Sequence, residues 1–91
     1  MEVIKDTNKE LELAFENEKP TIFLLLKEEL DRRPEVIMCA WREEHPLTKK
    51  IYFYIRTDGS ISPRKILLEV LQSALKRVDS FEKVYKKILK V

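Results

Sequence analysis

The sequence predicts an α+β domain in which two helices cover one face of a four-stranded antiparallel sheet, with a long second helix. Two observations carry this fold class. Pairs of short strand-like segments precede each of two helical segments, in the order β-β-α-β-β-α. Short polar segments such as TNKE join neighbouring strands, which favours antiparallel hairpins. A chain of 91 residues further predicts a single domain, residues 1–91.

The first half of the chain predicts a hairpin followed by a helix. EVIKD (Glu2–Asp6) and the alternating LELAFE (Leu11–Glu16) form the hairpin. Pro20 suits the first turn of a helix, because its missing N–H is not needed there, and Pro34 ends that helix at about Arg33. The apolar residues of this helix cover more than one face, so some should be buried outside the domain. They are Ile22, Phe23, Leu24, Leu25, Leu26 and Leu30.

The second half predicts two further strands and the last helix. EVIMCAWRE (Glu35–Glu43) is apolar on both faces, which is typical of a central strand. IYFYIRT (Ile51–Thr57) is aromatic, β-branched and alternating. The TDGS turn follows, with Gly59 to tolerate a positive φ. Ser62 then caps the last helix, and Pro63 occupies its first position.

The last helix carries a heptad pattern without proline or glycine from Pro63 to Leu89. A continuous helix of this length spans about 40 Å and would overhang the sheet. We therefore expect Phe81 and Tyr85 to contact only a partner, although Asp79-Ser80 could break the helix in two. The heptad seam consists of Leu67, Leu71, Ala74, Val78, Phe81, Tyr85 and Ile88.

The surplus apolar surface of the two helices predicts a dimer-forming interface. So small a domain buries only about two thirds of its unfolded surface, and it often needs a partner. The predicted interface residues are Ile22, Phe23, Leu26, Leu30, Leu67, Leu71, Ala74, Val78, Phe81 and Tyr85.

Few residues of the chain are of the types that catalysis, metal binding or disulfide formation requires. Cys39 is the only cysteine and His45 the only histidine, so a disulfide framework and a cysteine zinc site are excluded. Cys39 lies in the most apolar strand, which favours a buried, inert thiol. We expect no catalytic residue, cofactor or metal. The N-terminus lacks a signal peptide and TIFLLL is far short of a membrane span, which predicts a cytoplasmic protein.

The segment HPLTKKIYFYIRTDGSISPRKILLEVL resembles the archaeal RNA polymerase subunit L family. This family is the counterpart of the small assembly subunit of eukaryotic polymerases and of the dimerisation region of the bacterial α subunit. Length, element order and the long last helix agree over essentially the whole chain. The residues that carry the resemblance are His45, Pro46, Leu47, Thr57, Asp58, Gly59 and Pro63.

The start of the first helix departs from the family pattern. The family usually shows E-D-H-T-L-G-N-L, whereas residues 18–25 read EKPTIFLL. The matching residues are Glu18, Thr21, Ile22 and Leu25, and the departures are Lys19, Pro20, Phe23 and Leu24.

The resemblance implies a non-catalytic assembly subunit of DNA-directed RNA polymerase. In this family the first and last helices pair with those of a larger polymerase subunit, which is designated D. The heterodimer is the platform on which the catalytic subunits assemble. The isolated chain could also form a homodimer, and a diverged homodimeric paralogue outside the polymerase stays open. No sequence-specific nucleic-acid contact is expected.

A small nucleic-acid-binding module is the competing hypothesis. Residues 1–45 carry 7 basic and 12 acidic side chains, whereas residues 46–91 carry 11 basic and 4 acidic ones. Tyr52 and Tyr54 could stack on bases while basic residues of the last helix face phosphate. These basic residues are Arg64, Lys65, Lys76, Arg77, Lys83, Lys86, Lys87 and Lys90.

Overall fold

The computed structural model describes residues 1–44, 49–75 and 81–90 of the chain. The predicted α+β class and the two antiparallel hairpins are confirmed, and the elements begin and end within two residues of the predicted bounds except in the last helix. The elements are β1 (Glu2–Asp6), β2 (Glu10–Glu16), α1 (Pro20–Asp31), β3 (Val36–Glu43), β4 (Lys50–Thr57), α2 (Pro63–Leu75) and α3 (Phe81–Leu89).

The four strands form one antiparallel sheet in the order β1-β2-β4-β3. The prediction that residues 35–43 form a central strand is therefore wrong, because β3 lies at the edge and β4 takes the central place. A bulge between Val36 and Met38 interrupts its pairing with β4. Ile37 and Met38 are 61% and 51% exposed, so the apolar residues on the second face of β3 meet solvent.

The hydrophobic core lies between one face of the sheet and the helices. Alternate residues of β2 and β4 point into it, as the period of a strand requires. Phe23 of α1 lies at its centre and is fully buried. The Phe23 ring centroid is 5.0 Å from that of Phe15, 5.6 Å from that of Phe53 and 6.5 Å from that of Trp41. These separations suit tilted aromatic pairs, so α1 is fixed to the sheet through this ring.

The last helix is not continuous, which corrects the predicted helix from Pro63 to Leu89. The Gln72 Nε2 atom donates a hydrogen bond to the Tyr85 hydroxyl oxygen at 2.9 Å. Thirteen residues along one α-helix would separate these residues by about 20 Å along the axis. Helix α3 therefore folds back onto α2, and the two pack together. Asp79-Ser80, the predicted breaking point, lies outside the described residues.

None of the helices in residues 1–44, 49–75 and 81–90 overhangs the sheet. Its Cα radius of gyration is 12.2 Å, and a compact domain of this length is expected at about 12 Å. Its accessible surface of 5605 Å² equals the area of about 5,600 Å² expected for a folded monomer of this mass. The reason is that an isolated helix extension is marginal in water, whereas folding back buries the apolar side of α3.

Candidate partner interface

The TDGSISP turn between β4 and α2 is held by its own side chains. Gly59 adopts a φ of +95°, a conformation that favours glycine. The Asp58 carboxylate accepts hydrogen bonds from the Ser60 backbone N–H at 2.9 Å and from the Ser60 hydroxyl at 2.6 Å. These bonds lower the pKa of Asp58 below its ordinary value. The Thr57 hydroxyl donates to the Ile61 carbonyl oxygen at 2.8 Å.

The same turn sets where α2 begins. The Lys65 backbone N–H donates to the Ser62 hydroxyl oxygen at 3.3 Å, which confirms Ser62 as the N-cap. The Thr57 backbone N–H donates to the Lys9 carbonyl oxygen at 2.8 Å, so the turn is also tied to the β1–β2 hairpin. The described motif residues thus orient α2 on the sheet. His45, Pro46 and Leu47 lie outside the described residues.

Most of the residues predicted to contact a partner lie in the chain's own core. Tyr85 is half-buried, and Val78 lies outside the described residues. The expectation that Phe81 is exposed beyond the sheet is wrong, because its side chain is only 2% exposed. Partner contact by this set stays a prediction, since the free chain offers little of its surface. The buried members are Ile22, Phe23, Leu26, Leu30, Leu67, Leu71, Ala74 and Phe81.

Two leucines on the outer side of α1 were missing from the predicted interface. Leu24 is 49% exposed and Leu25 is 38% exposed. The signal was present in the sequence, because six apolar residues in α1 are more than one buried face can hold. Charged residues follow along the helix, with a Lys27–Asp31 ion pair of 2.6 Å. An apolar centre beside a charged rim is the usual composition of a protein–protein interface.

Besides the Gln72–Tyr85 hydrogen bond, an apolar side and one carboxylate hold helix α3 against the rest of the chain. Phe81, Val84 and Ile88 are all at most 2% exposed. The Glu18 side chain, which precedes α1, is 5% exposed. Its carboxylate lies 2.8 Å from the Lys87 Nζ atom and 4.0 Å from that of Lys83. Glu18 therefore connects the start of α1 to α3.

The outer face of the sheet carries the two tyrosines of the nucleic-acid hypothesis among both acidic and basic side chains. On this face Glu12 pairs with Tyr54, and Glu16 pairs with Lys50. The Arg42 guanidinium lies 4.2 Å from the Tyr52 ring centroid, so that ring face is already occupied. Lys50 also lies 5.5 Å from the Tyr52 ring centroid, and the Glu12 carboxylate beside Tyr54 repels phosphate. Tyr52 is thus already engaged and Tyr54 has an acidic neighbour, which disfavours stacking of bases on this face.

The described basic residues of the last helices lie away from that face, and several of them meet carboxylates. Arg64 contacts Asp6 at 2.5 Å, and Lys86 contacts Glu82 at 3.0 Å. The core face of the sheet, which bears these helices, is opposite to the face that bears the tyrosines. The basic residues and the tyrosines therefore do not form one binding surface.

The described residues show little reactive chemistry. Cys39 is 5% exposed, and burial raises the pKa of its thiol to about 12, which confirms the expectation of a buried, inert thiol. Within residues 1–44, 49–75 and 81–90, no three histidine, cysteine or acidic side chains gather where they could hold a metal ion. In the same part of the chain, every helix is too short or too polar to cross a membrane.

Comparison with known proteins identifies relatives over the whole chain. The sequence model of the RNA polymerase Rpb3/Rpb11 dimerisation domain matches residues 10–84. DNA-directed RNA polymerase subunit Rpo11 of Sulfolobus acidocaldarius is 39% identical over 88 residues, which cover 97% of this chain and 98% of the relative. Rpo11 of Pyrococcus horikoshii is 38% identical over 92 residues, covering 94% of this chain and 97% of the relative.

A solved structure shares the fold. The crystal structure of DNA-directed RNA polymerase subunit L from Thermoplasma acidophilum superposes with a TM-score of 0.72 at 18% sequence identity. The superposition covers 98% of this chain and 87% of that chain. At this identity the likeness concerns the fold alone.

Proposed function

Because the chain belongs to the RNA polymerase Rpb3/Rpb11 dimerisation domain family, we propose that it is a small assembly subunit that heterodimerises with the larger subunit designated D. The pair is then the cytoplasmic platform on which the catalytic subunits of a DNA-directed RNA polymerase assemble. One observation carries the proposal: the family match covers residues 10–84, which include β2, α1, β3, β4 and α2 in full and the start of α3. The family is a dimerisation domain, so the chain's role is association and not catalysis.

The relatives favour the Rpo11 designation over subunit L. The relatives from Sulfolobus and Pyrococcus both carry the name Rpo11, and each shares more than twice as much identity with the chain as the subunit L structure does. The expected assignment to subunit L is thereby replaced by a closer match within the same family of polymerase subunits.

The outer face of α1 is the part of the interface that is open in the free chain. Where the family pattern has glycine and asparagine, this chain has Phe23 and Leu24. Phe23 fills the core, whereas Leu24 faces solvent, so only the second departure changes the outer surface. Exchange of a polar asparagine for a half-exposed leucine strengthens apolar contact with a partner helix. Leu25 extends the same apolar area.

Co-purification with the larger subunit from the same cell tests the proposal. Leu24→Glu should weaken the complex at least tenfold, because a carboxylate would be buried without a counter-ion. Ile4→Glu is the matched control: Ile4 is 44% exposed on β1, at the sheet edge far from β3, against which α1 packs. We expect the affinity of the Ile4→Glu variant for the larger subunit to equal that of the wild type.

Three outcomes separate the alternatives. Binding of the larger subunit that Leu24→Glu weakens and Ile4→Glu does not would support the proposal. A chain that forms only dimers of itself by sedimentation, with no binding of the larger subunit, would favour a homodimeric paralogue. Equal weakening by the two variants would place the interface elsewhere.

A further inference from the structure

Helix α3 is attached to the domain without taking part in the sheet. The four described strands pair only with one another, so release of α3 would break no backbone ladder. Helix α3 packs chiefly on α2, and among the described residues its polar contacts with other elements join side chains. Two of them, Gln72–Tyr85 at 2.9 Å and Glu18–Lys87 at 2.8 Å, lie at its margin. Elements that lie outside the backbone ladder of a sheet and pack through side chains can open at a lower free-energy cost than central strands.

The same side chains serve two different surfaces. Phe81 and Ile88 belong to the heptad seam that begins at Leu67 in α2. In the free chain they are buried with Val84 against the domain itself. Helix α3 therefore buries, in its own chain, residues that a helical seam between two chains would use.

The exposed leucines on the outer side of α1 are too few to form a stable dimer interface by themselves. A standard interface buries roughly 800 Å² on each partner, about one seventh of the 5605 Å² that this chain exposes. On the described outer side of α1, Leu24 and Leu25 are only partly exposed and supply a fraction of that area. A partner that binds firmly on this side of the chain must therefore use further apolar surface, and the side chains beneath α3 are one source of it.

We propose that α3 is a self-docked segment that competes with the larger partner subunit. In the closed arrangement, defined by the Gln72–Tyr85 and Glu18–Lys87 contacts, α3 covers part of α2 and reaches Glu18 just before α1, in the area that we assign to the partner. Binding of the larger subunit displaces α3 and uses the apolar surface that is freed. This inference rests on the proposed function, because it names the larger polymerase subunit as the competitor.

Loosening the closed arrangement should therefore strengthen binding. Gln72→Ala and Lys87→Gln each remove one marginal contact, and neither residue lies on the heptad seam. The two changes combined should raise the affinity for the larger subunit by about two- to tenfold, the effect of losing one or two surface contacts from the competing state. Lys86→Gln is the matched control, since Lys86 pairs within α3 with Glu82 at 3.0 Å and its replacement removes the same charge.

Fixing the closed arrangement should have the opposite effect. In a Cys39→Ala background, Glu18→Cys and Lys87→Cys can be joined by a flexible bis-maleimide, which holds α3 at the start of α1. The joined chain should bind the larger subunit at least tenfold more weakly than the same chain before joining. Glu82→Cys and Lys86→Cys, joined by the same reagent within α3, is the control that should bind normally. Circular dichroism verifies that each chain is folded.

The results separate this inference from the proposed function. Tighter binding by the loosened variants and weaker binding by the joined chain would support self-docking. If the larger subunit bound the joined chain as well as the wild type, or bound the loosened variants more weakly, self-docking would be wrong while the heterodimer stood. If the larger subunit bound none of the chains, both proposals would fall together.

Discussion

Replacement of Phe23 by alanine tests whether α1 belongs to the core or to the partner interface at this position. Phe23 is 0% exposed, with three aromatic rings between 5.0 and 6.5 Å from its own. Loss of a buried phenylalanine costs about 3–5 kcal/mol, from the lost transfer energy and the cavity that remains. A domain of 91 residues has a total free energy of unfolding of about 5–14 kcal/mol, so this variant should lose at least about a fifth of it.

The neighbouring Leu24→Ala variant is the control for this measurement. Leu24 is 49% exposed, so its truncation should change the free energy of unfolding by only about 0.5 kcal/mol. Each 1 kcal/mol moves the Tm of a domain this size by about 4–8 °C. Thermal unfolding of the isolated chain should therefore give a Tm lowered by at least about 12 °C for Phe23→Ala, and by no more than about 4 °C for Leu24→Ala. Equal Tm values for the two variants would refute the assignment of Phe23 to the core.

Three further predictions concern the turn, the thiol and nucleic acid. Gly59→Ala should cost about 1–3 kcal/mol in thermal unfolding, because the φ of +95° strains any side chain. The added Cβ would lie 3.0 Å from the Lys9 Cε atom, so Lys9→Ala removes that steric contact. Lys9→Ala should not restore the stability that Gly59→Ala loses, because the backbone strain remains. Full restoration would mean that the steric contact, and not the φ angle, causes the loss. The pKa of the Cys39 thiol is raised to about 12 from 9.0, so its contribution to stability is full below pH 9 and declines between pH 9 and about 12. Urea unfolding across that range should show a steeper decline for the wild type than for Cys39→Ala, and parallel declines would contradict the raised pKa. Binding of the chain to duplex or single-stranded nucleic acid should be weak and should vanish at physiological salt. Sub-micromolar, sequence-dependent binding that persists at that salt concentration would support the nucleic-acid hypothesis.

Local patterns in the sequence were sufficient for most elements of the fold. The period of two in Leu11–Glu16 and in Ile51–Thr57 identified both strands and their buried faces. Ser62 and Pro63 identified the start of α2, because capping chemistry depends only on neighbouring residues. The position of each strand within the sheet was harder to predict. Apolar residues on both faces of β3 were interpreted as a central strand, but Ile37 and Met38 face solvent at the edge.

The course of the last helix could not be predicted from its heptad pattern. A seam from Leu67 to Ile88 fits one long helix on a partner and equally fits two shorter helices that pack on one another. Whether one long helix or two shorter helices form depends on which apolar surface is available for packing. The available surface is set by the assembly and not by the local sequence. Helix α1 shows the same limit of local sequence. Its helical period does not tell which apolar residues face the sheet, and the position of the sheet decides that Phe23 is buried and Leu24 exposed.

Affinity purification of the tagged chain from its native cell, followed by mass spectrometry, tests the central claim most directly. Membership of the Rpb3/Rpb11 dimerisation domain family and exposed leucines on α1 lead us to expect the larger subunit in a one-to-one ratio with the chain. The catalytic subunits of the polymerase should accompany the pair. The Leu24→Glu variant, expressed at the same level, should recover both in reduced amount. Recovery of the chain alone or as a dimer of itself, with no polymerase subunit, would contradict its role in polymerase assembly.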